Sequence, residues 1–144
     1  MTKVLIVDAN FYEDLASELV RGATAELDAR GVSFDRVSVP GALEIPAAIS
    51  LASKRTDGPV YDGYVALGCV IRGETSHYDI VCGESARGLT ELALGSDLAI
   101  GNGILTVDTG EQAWARADVA RKNKGRDAVA ACLALVEIKK RFKV

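Results

Sequence analysis

The only histidine in the chain, His77, stands near the end of the stretch Gly68-Cys69-Val70-Ile71-Arg72-Gly73-Glu74-Thr75-Ser76-His77-Tyr78. This stretch leaves an apolar run, crosses a polar, glycine-containing turn and enters a segment with helical spacing. Backbone N–H groups from Gly73 to Ser76 would then point outward at a helix start. Such a start binds anions, because its donors are unpaired and the helix dipole favours negative charge. A neutral imidazole near pH 7 can take and return protons. A phosphate site beside a proton-transfer group is a workable beginning for an active site. The same residues also fit a plain helix capped by Ser76, with His77 an exposed first-turn side chain.

The elements that must position this stretch follow from hydrophobic periodicity. Residues 3–8 form a short, continuous apolar run, the type of strand buried on both faces. Residues 12–30 carry Leu15, Leu19, Ala23 and Leu27 at helical spacing, with Gly31 as a stop. Residues 34–39 alternate as a second strand that ends at Pro40-Gly41. Residues 46–54 read as a helix with Pro46 in its first turn, and Thr56-Asp57-Gly58-Pro59 reads as a turn. Residues 61–68 are a third strand, 76–94 a helix, 98–106 a fourth strand, and 109–121 and 125–141 two further helices separated near Gly125.

Alternating strands and helices predict a mainly parallel sheet covered on both faces. Ligands of such sheets bind at the carboxyl ends of the strands. That rule selects Asn10-Phe11, residues 40–44, residues 69–77 and residues 102–106. The last helix is apolar nearly all round between Ala128 and Ile138. Either it is buried on every side, or a second face meets another subunit.

Bulk properties exclude several classes. A chain of 144 residues fits one domain. Its net charge of −3 argues against nucleic acid as the main partner. The basic cluster Lys139, Lys140, Arg141 and Lys143 suits the C-terminal end of a helix dipole. Three cysteines, Cys69, Cys82 and Cys132, form no CxxC pair, so neither a disulfide framework nor a zinc site is expected. The apolar run before Asp8 is too short for a signal peptide or a membrane span, and a cytoplasmic protein is expected.

Four motifs occur in order: VPGALEIP at 39–46, GCVIRGETSHYDIVCGESARGL at 68–89, NGILT at 102–106 and KNKG at 122–125. With them, residues 3–142 resemble the lumazine synthases. The resemblance implies one lumazine synthase domain over 1–144. Its fold would be an α/β three-layer, flavodoxin-like sandwich with a four-stranded parallel sheet and helices on both faces. It implies condensation of 5-amino-6-(ribitylamino)uracil with 3,4-dihydroxy-2-butanone 4-phosphate. The product is 6,7-dimethyl-8-ribityllumazine, formed with release of phosphate and water in the penultimate step of riboflavin biosynthesis. No metal and no redox cofactor is implied.

Matched motif to motif, His77 corresponds to the family's proton-transfer histidine, and Gly73, Glu74 and Thr75 to its phosphate loop. Arg116 corresponds to the arginine that grips the butanone phosphate from a neighbouring subunit; without the resemblance it would read as a solvated helix residue. Phe11 corresponds to the aromatic that stacks on the pyrimidine, although a core or staple residue would look the same. Gly41, Ala42, Leu43 and Glu44 correspond to the ribityl-binding segment. Val70 and Ile71 correspond to backbone contacts with the pyrimidine. Lys124 corresponds to a lysine near the ribityl and ring end. Asn102 stands where relatives often carry an aromatic, a departure that bears on any stacking there.

The family forms pentamers, some of which assemble into icosahedral shells. Here the chain begins almost at the first strand. Residues 117–122, Ala-Asp-Val-Ala-Arg-Lys, replace the glycine-rich turn common in shell formers. A homopentamer with active sites between subunits is therefore expected. Two other functions share the architecture. A flavodoxin-like FMN carrier would need a hydroxyl-rich loop after the first strand, where this chain has Ala9-Asn10-Phe11-Tyr12-Glu13. A non-catalytic paralogue that binds lumazine or riboflavin would keep the same site residues.

Overall fold

The computed structural model describes residues 1–144. Its elements run β1 (Lys3–Ala9), α1 (Glu13–Ala29), β2 (Ser33–Val39), a 3-10 turn (Ala42–Glu44), α2 (Ile45–Ser53), β3 (Gly63–Ile71), α3 (His77–Gly95), β4 (Ile100–Val107), α4 (Gly110–Ala117) and α5 (Lys124–Phe142). The four strands form one sheet in the order β2-β1-β3-β4, and every pairing is parallel. Val4 is level with Phe34 on one side and Gly63 on the other, and Tyr64 is level with Ile100. The expected α/β sandwich is therefore present.

The continuous apolar runs occupy the two central strands, as their sequence requires. Alternate residues of β1 and β3 feed two cores. Val4, Ile6, Val65 and Leu67 pack with Leu19 and Leu27 of α1 and Val129 and Cys132 of α5. Leu5, Val7, Tyr64 and Ala66 pack with Ile45 and Ile49 of α2 and Val81 and Leu89 of α3. Helices thus cover both faces. Close approach is enforced at Gly101 in β4, where a Cβ would run into the Ala128 carbonyl oxygen of α5.

The last helix is not buried on every side. Ala128, Val129, Cys132, Leu133 and Val136 face the core, whereas Leu135 and Ile138 are exposed. Burial pushes the Cys132 thiol up to about 12, which leaves it a protonated core residue.

The structure differs from the sequence-based boundaries in three places. β3 continues past residue 68 to Ile71, because Val70 and Ile71 pair with Thr106 and Val107 of β4. A 3-10 turn precedes α2, with the Glu44 N–H donating to the Gly41 carbonyl at 3.2 Å. α4 stops at Ala117 rather than 121. Asp118 leaves the helical region (φ −56°, ψ 122°), and its carboxylate accepts the Ala120 N–H at 2.8 Å. A local side-chain acceptor of this kind offers the backbone an alternative to the helix ladder.

One charged group is fully buried. Asp8, at the end of β1, accepts both Arg36 Nε (2.8 Å) and Nη2 (3.1 Å), and also the Ser38 hydroxyl (3.0 Å). The Arg36 side chain is 43% exposed, so the pair is asymmetric. Removing the arginine strands a buried carboxylate, while removing the carboxylate leaves a guanidinium that water can reach. Arg36→Met is therefore expected to lower unfolding stability by roughly 2–3 kcal/mol, toward the low end for breaking a buried pair. Urea titration should show an earlier midpoint at unchanged slope; an unchanged midpoint would mean that Ser38 and water suffice.

Candidate functional site

A cleft of about 370 Å³ opens at the carboxyl ends of β1 and β3. The loop after β1 contributes Phe11 and Tyr12, and the turn before α2 contributes Gly41, Ala42, Leu43 and Glu44. The end of β3 supplies Cys69, Val70 and Ile71, the following loop Gly73 and Thr75, and the first turns of α3 His77, Tyr78 and Val81. Most of the residues expected to bind substrate are thereby gathered on one chain. Phe11 is 72% exposed, which excludes the core or staple reading. Tyr12 holds it edge-on, with ring centroids 4.9 Å apart.

The loop between β3 and α3 is anchored at both ends. The Arg72 N–H donates to the Val107 carbonyl at 2.9 Å, and Arg72 Nε donates to Asp108 at 2.9 Å. The Arg72 guanidinium also lies over the Tyr78 ring, 4.3 Å from its centroid. Between these anchors, no backbone N–H from Gly73 to Ser76 donates to a protein acceptor. Ser76 precedes α3 without a side-chain capping bond; instead Thr75 Oγ1 accepts the His77 N–H at 3.3 Å. The simple Ser76-cap reading therefore fails, and the loop, two of whose residues line the cleft, retains free donors. Glu74 lies on this loop, but its side chain does not line the cleft.

Electrostatics narrow the chemistry. Burial, helped by the nearby Cys82 thiol, pushes the Cys69 thiol up to about 11. Cys69 is thus a neutral wall residue rather than a nucleophile. Burial likewise raises the Tyr78 phenol, with Cys82 adding to the shift. His77 is the only imidazole available for proton transfer, and it is exposed at the mouth.

Asn102, Arg116 and Lys124 do not join this cleft. They line a second one of about 330 Å³ along β4, with Gly103, Thr106 and Asp127 among the other walls. Arg116 Nη1 donates to the Gln112 carbonyl at 3.0 Å, so the side chain lies back along α4. Lys124 pairs with Asp127 at 3.3 Å, one helical turn on. Asn102 Oδ1 accepts the Ile104 N–H at 2.9 Å. The polar residue here therefore satisfies its own strand, and no aromatic surface is offered. The two clefts share no residue.

Sequence reasoning missed Tyr12 and Val81 in the first cleft and Asp127 and Ala128 in the second. Tyr12 had a signal in its place directly after Phe11. Asp127 had one in its spacing of three from Lys124, which favours an ion pair on a helix. Val81 and Ala128 had none beyond being apolar. No helix is long and apolar enough to cross a membrane.

The family model described as 6,7-dimethyl-8-ribityllumazine synthase matches residues 1–140. A 6,7-dimethyl-8-ribityllumazine synthase of Afipia carboxidovorans is 53% identical, over 97% of this chain and 87% of that protein. The 6,7-dimethyl-8-ribityllumazine synthase 1 of Rhizobium meliloti is 56% identical, over 96% and 92%. That of Agrobacterium fabrum is 54% identical, over 96% and 95%. With a match of this extent, the chain belongs to the 6,7-dimethyl-8-ribityllumazine synthase family.

Proposed function

We propose that the two clefts are complementary halves of one active site, completed when the pocket of one subunit meets the β4 cleft of its neighbour. The reaction is the condensation of 5-amino-6-(ribitylamino)uracil with 3,4-dihydroxy-2-butanone 4-phosphate. It yields 6,7-dimethyl-8-ribityllumazine and phosphate with loss of water, in riboflavin biosynthesis. The observation that carries the two-subunit reading is the partition of the groups. The proton-transfer residue and the free N–H loop lie in one cleft, and the only arginine lining either cleft lies in the other.

The chemistry needs both halves. An amine adds to a ketone and expels one water to form an imine, phosphate is eliminated, and the ring closes with loss of a second water. Each step moves a proton, and His77 is placed to move it. The departing phosphate is held by the N–H groups of Gly73, Glu74 and Thr75 and by the partner subunit's Arg116, whose guanidinium can bind two oxygens at once. Phe11 stacks on the pyrimidine, while Val70 and Ile71 offer it backbone contacts. Glu44 accepts from ribityl hydroxyls beside Gly41, Ala42 and Leu43. The neighbour's Lys124 reaches the ring and ribityl end. Asn102 contributes no stacking.

Contact between two different surfaces is heterologous, and such contacts form a ring when the rotation between subunits closes. The exposed apolar residues of α5 and the half-exposed Trp114 of α4 supply apolar area for that contact. We take the ring to be the homopentamer of the resemblance. Light scattering should report a particle of about five chains, and a megadalton particle would replace the ring by a shell. Free, buried thiols fit a cytoplasmic setting.

Subunit mixing tests the composite site. His77→Ala and Arg116→Ala proteins, each weak alone, are expected to regain activity when co-expressed or refolded together. A mixed interface can join an intact His77 pocket to an intact Arg116 cleft. Activity no greater than the sum of the parents would place each site within one chain. Absence of any acceleration by the unmodified protein, with lumazine or flavin still bound tightly, would favour the non-catalytic paralogue.

A further inference from the structure

Arg116 and Lys124 flank the corner formed by residues 118–123, one near the end of α4 and the other at the start of α5. Neither helix fixes this corner alone, because the turn is pressed onto α1. The Val119 N–H donates to Glu18 Oε2 at 2.9 Å, and Arg21 Nε holds the other oxygen of the same carboxylate at 3.1 Å. Asn123 occupies the left-handed region (φ 47°, ψ 57°), with its side chain against Gly22. Its Oδ1 is buried without a hydrogen-bond partner, and a Cβ on Gly22 would run into it. On the far side of the corner, Gly125 lies against the α1 backbone at Leu19, where no side chain fits.

Three contacts from one face of α1 thus register the turn that lies between the two cations of the second cleft. A buried, unpaired amide oxygen costs stability. Asn123 and Gly22 are therefore a poor choice for holding two helices together and a better one for fixing a distance. We propose that Glu18, Gly22 and Asn123 form a seat that positions Arg116 for the phosphate ester, although none of them touches the substrate. The proposal rests on the reading of Arg116 as the phosphate ligand. Misplacing a binding group by a fraction of its own length is enough to weaken substrate capture without altering the reacting groups, which lie in the other cleft.

The test compares Gly22→Ala, Glu18→Ala and Glu18→Gln with Arg116→Ala in steady-state assays. Gly22→Ala and Glu18→Ala are expected to raise KM for the butanone phosphate about tenfold while kcat stays within about twofold, the pattern of lost ground-state binding. Glu18→Gln keeps an acceptor for the Val119 N–H and should restore KM toward the parent value. A purely structural role predicts the opposite pattern, with a smaller active fraction, lower apparent kcat and unchanged KM; that result overturns the proposal. If Gly22→Ala does not fold, Asn123→Gly keeps the left-handed turn and removes the amide, and an unchanged KM there is equally fatal. If Arg116→Ala itself leaves KM unchanged, the phosphate assignment fails and the seat's role with it. If Arg116→Ala raises KM but the seat variants do not, the seat alone is wrong.

Discussion

His77→Ala is expected to lower kcat by roughly ten- to a thousand-fold without abolishing turnover, about tenfold less than a general acid–base group ordinarily contributes. The upper bound follows from His77 being the only imidazole beside the free N–H loop. The lower bound follows from its exposure. Water at the mouth can stand in as a slow proton carrier, and holding two substrates together supplies much of the acceleration by itself. Product appearance, followed by lumazine absorbance against the uncatalysed background, gives the number. An unchanged kcat would remove His77 from the mechanism and turn attention to Glu44, the other titratable side chain of the cleft besides the raised thiol and the tyrosines.

Arg116→Ala should act on binding instead. Losing one member of a charge-assisted pair costs about 2–5 kcal/mol when the pair is shielded from water. A KM for the butanone phosphate raised on the order of a hundredfold is therefore expected. KM for the pyrimidine should move little, because the residues proposed to hold it, Phe11 and the end of β3, line the other cleft. Arg116→Lys should recover only part of the loss, since an ammonium keeps the charge but not the planar fork. If KM for the phosphate ester is the same in all three proteins, Arg116 is an ordinary helix residue bonded back to Gln112, and the phosphate is held by the loop alone.

The corner next to Arg116 also carries a pH dependence. The Glu18 carboxyl is held below its ordinary value, first by Arg21 and then by the Val119 N–H. Its contribution is complete above the ordinary carboxylate range and is lost as pH falls through the lowered value. Weakening of the corner is thus an acid effect only, and assays near neutrality report Arg116 and His77 without it.

Local pattern determined much of this protein. The continuous apolar run at residues 3–8 reads as a strand covered on both faces, because alternation is absent. Alternation of strand and helix then forced a parallel sheet, and a parallel sheet places its loops at one edge. That is why Phe11, residues 41–44 and His77 were legible as neighbours before any coordinates. Two of the four motifs, at 39–46 and 68–89, hold loops that this architecture brings together.

Tertiary structure alone decided three things. β3 runs on to Ile71 because β4 offers partners there, and pairing between distant segments leaves no mark in either one. The Asp8–Arg36 pair forms because parallel register brings Ser38 level with Asp8, so a charge at the end of an apolar run becomes a buried one. The third is where the chain holds its two groups of candidate residues. His77 follows the end of β3, whereas Arg116 and Lys124 flank a corner seated on α1. The resemblance set only Arg116 apart, and packing shows that Asn102 and Lys124 lie with it. Packing of α4 and α5 against α1 and β4 turns the two cations away from the first cleft, since the helices must bury their apolar faces before their charged ends can be aimed.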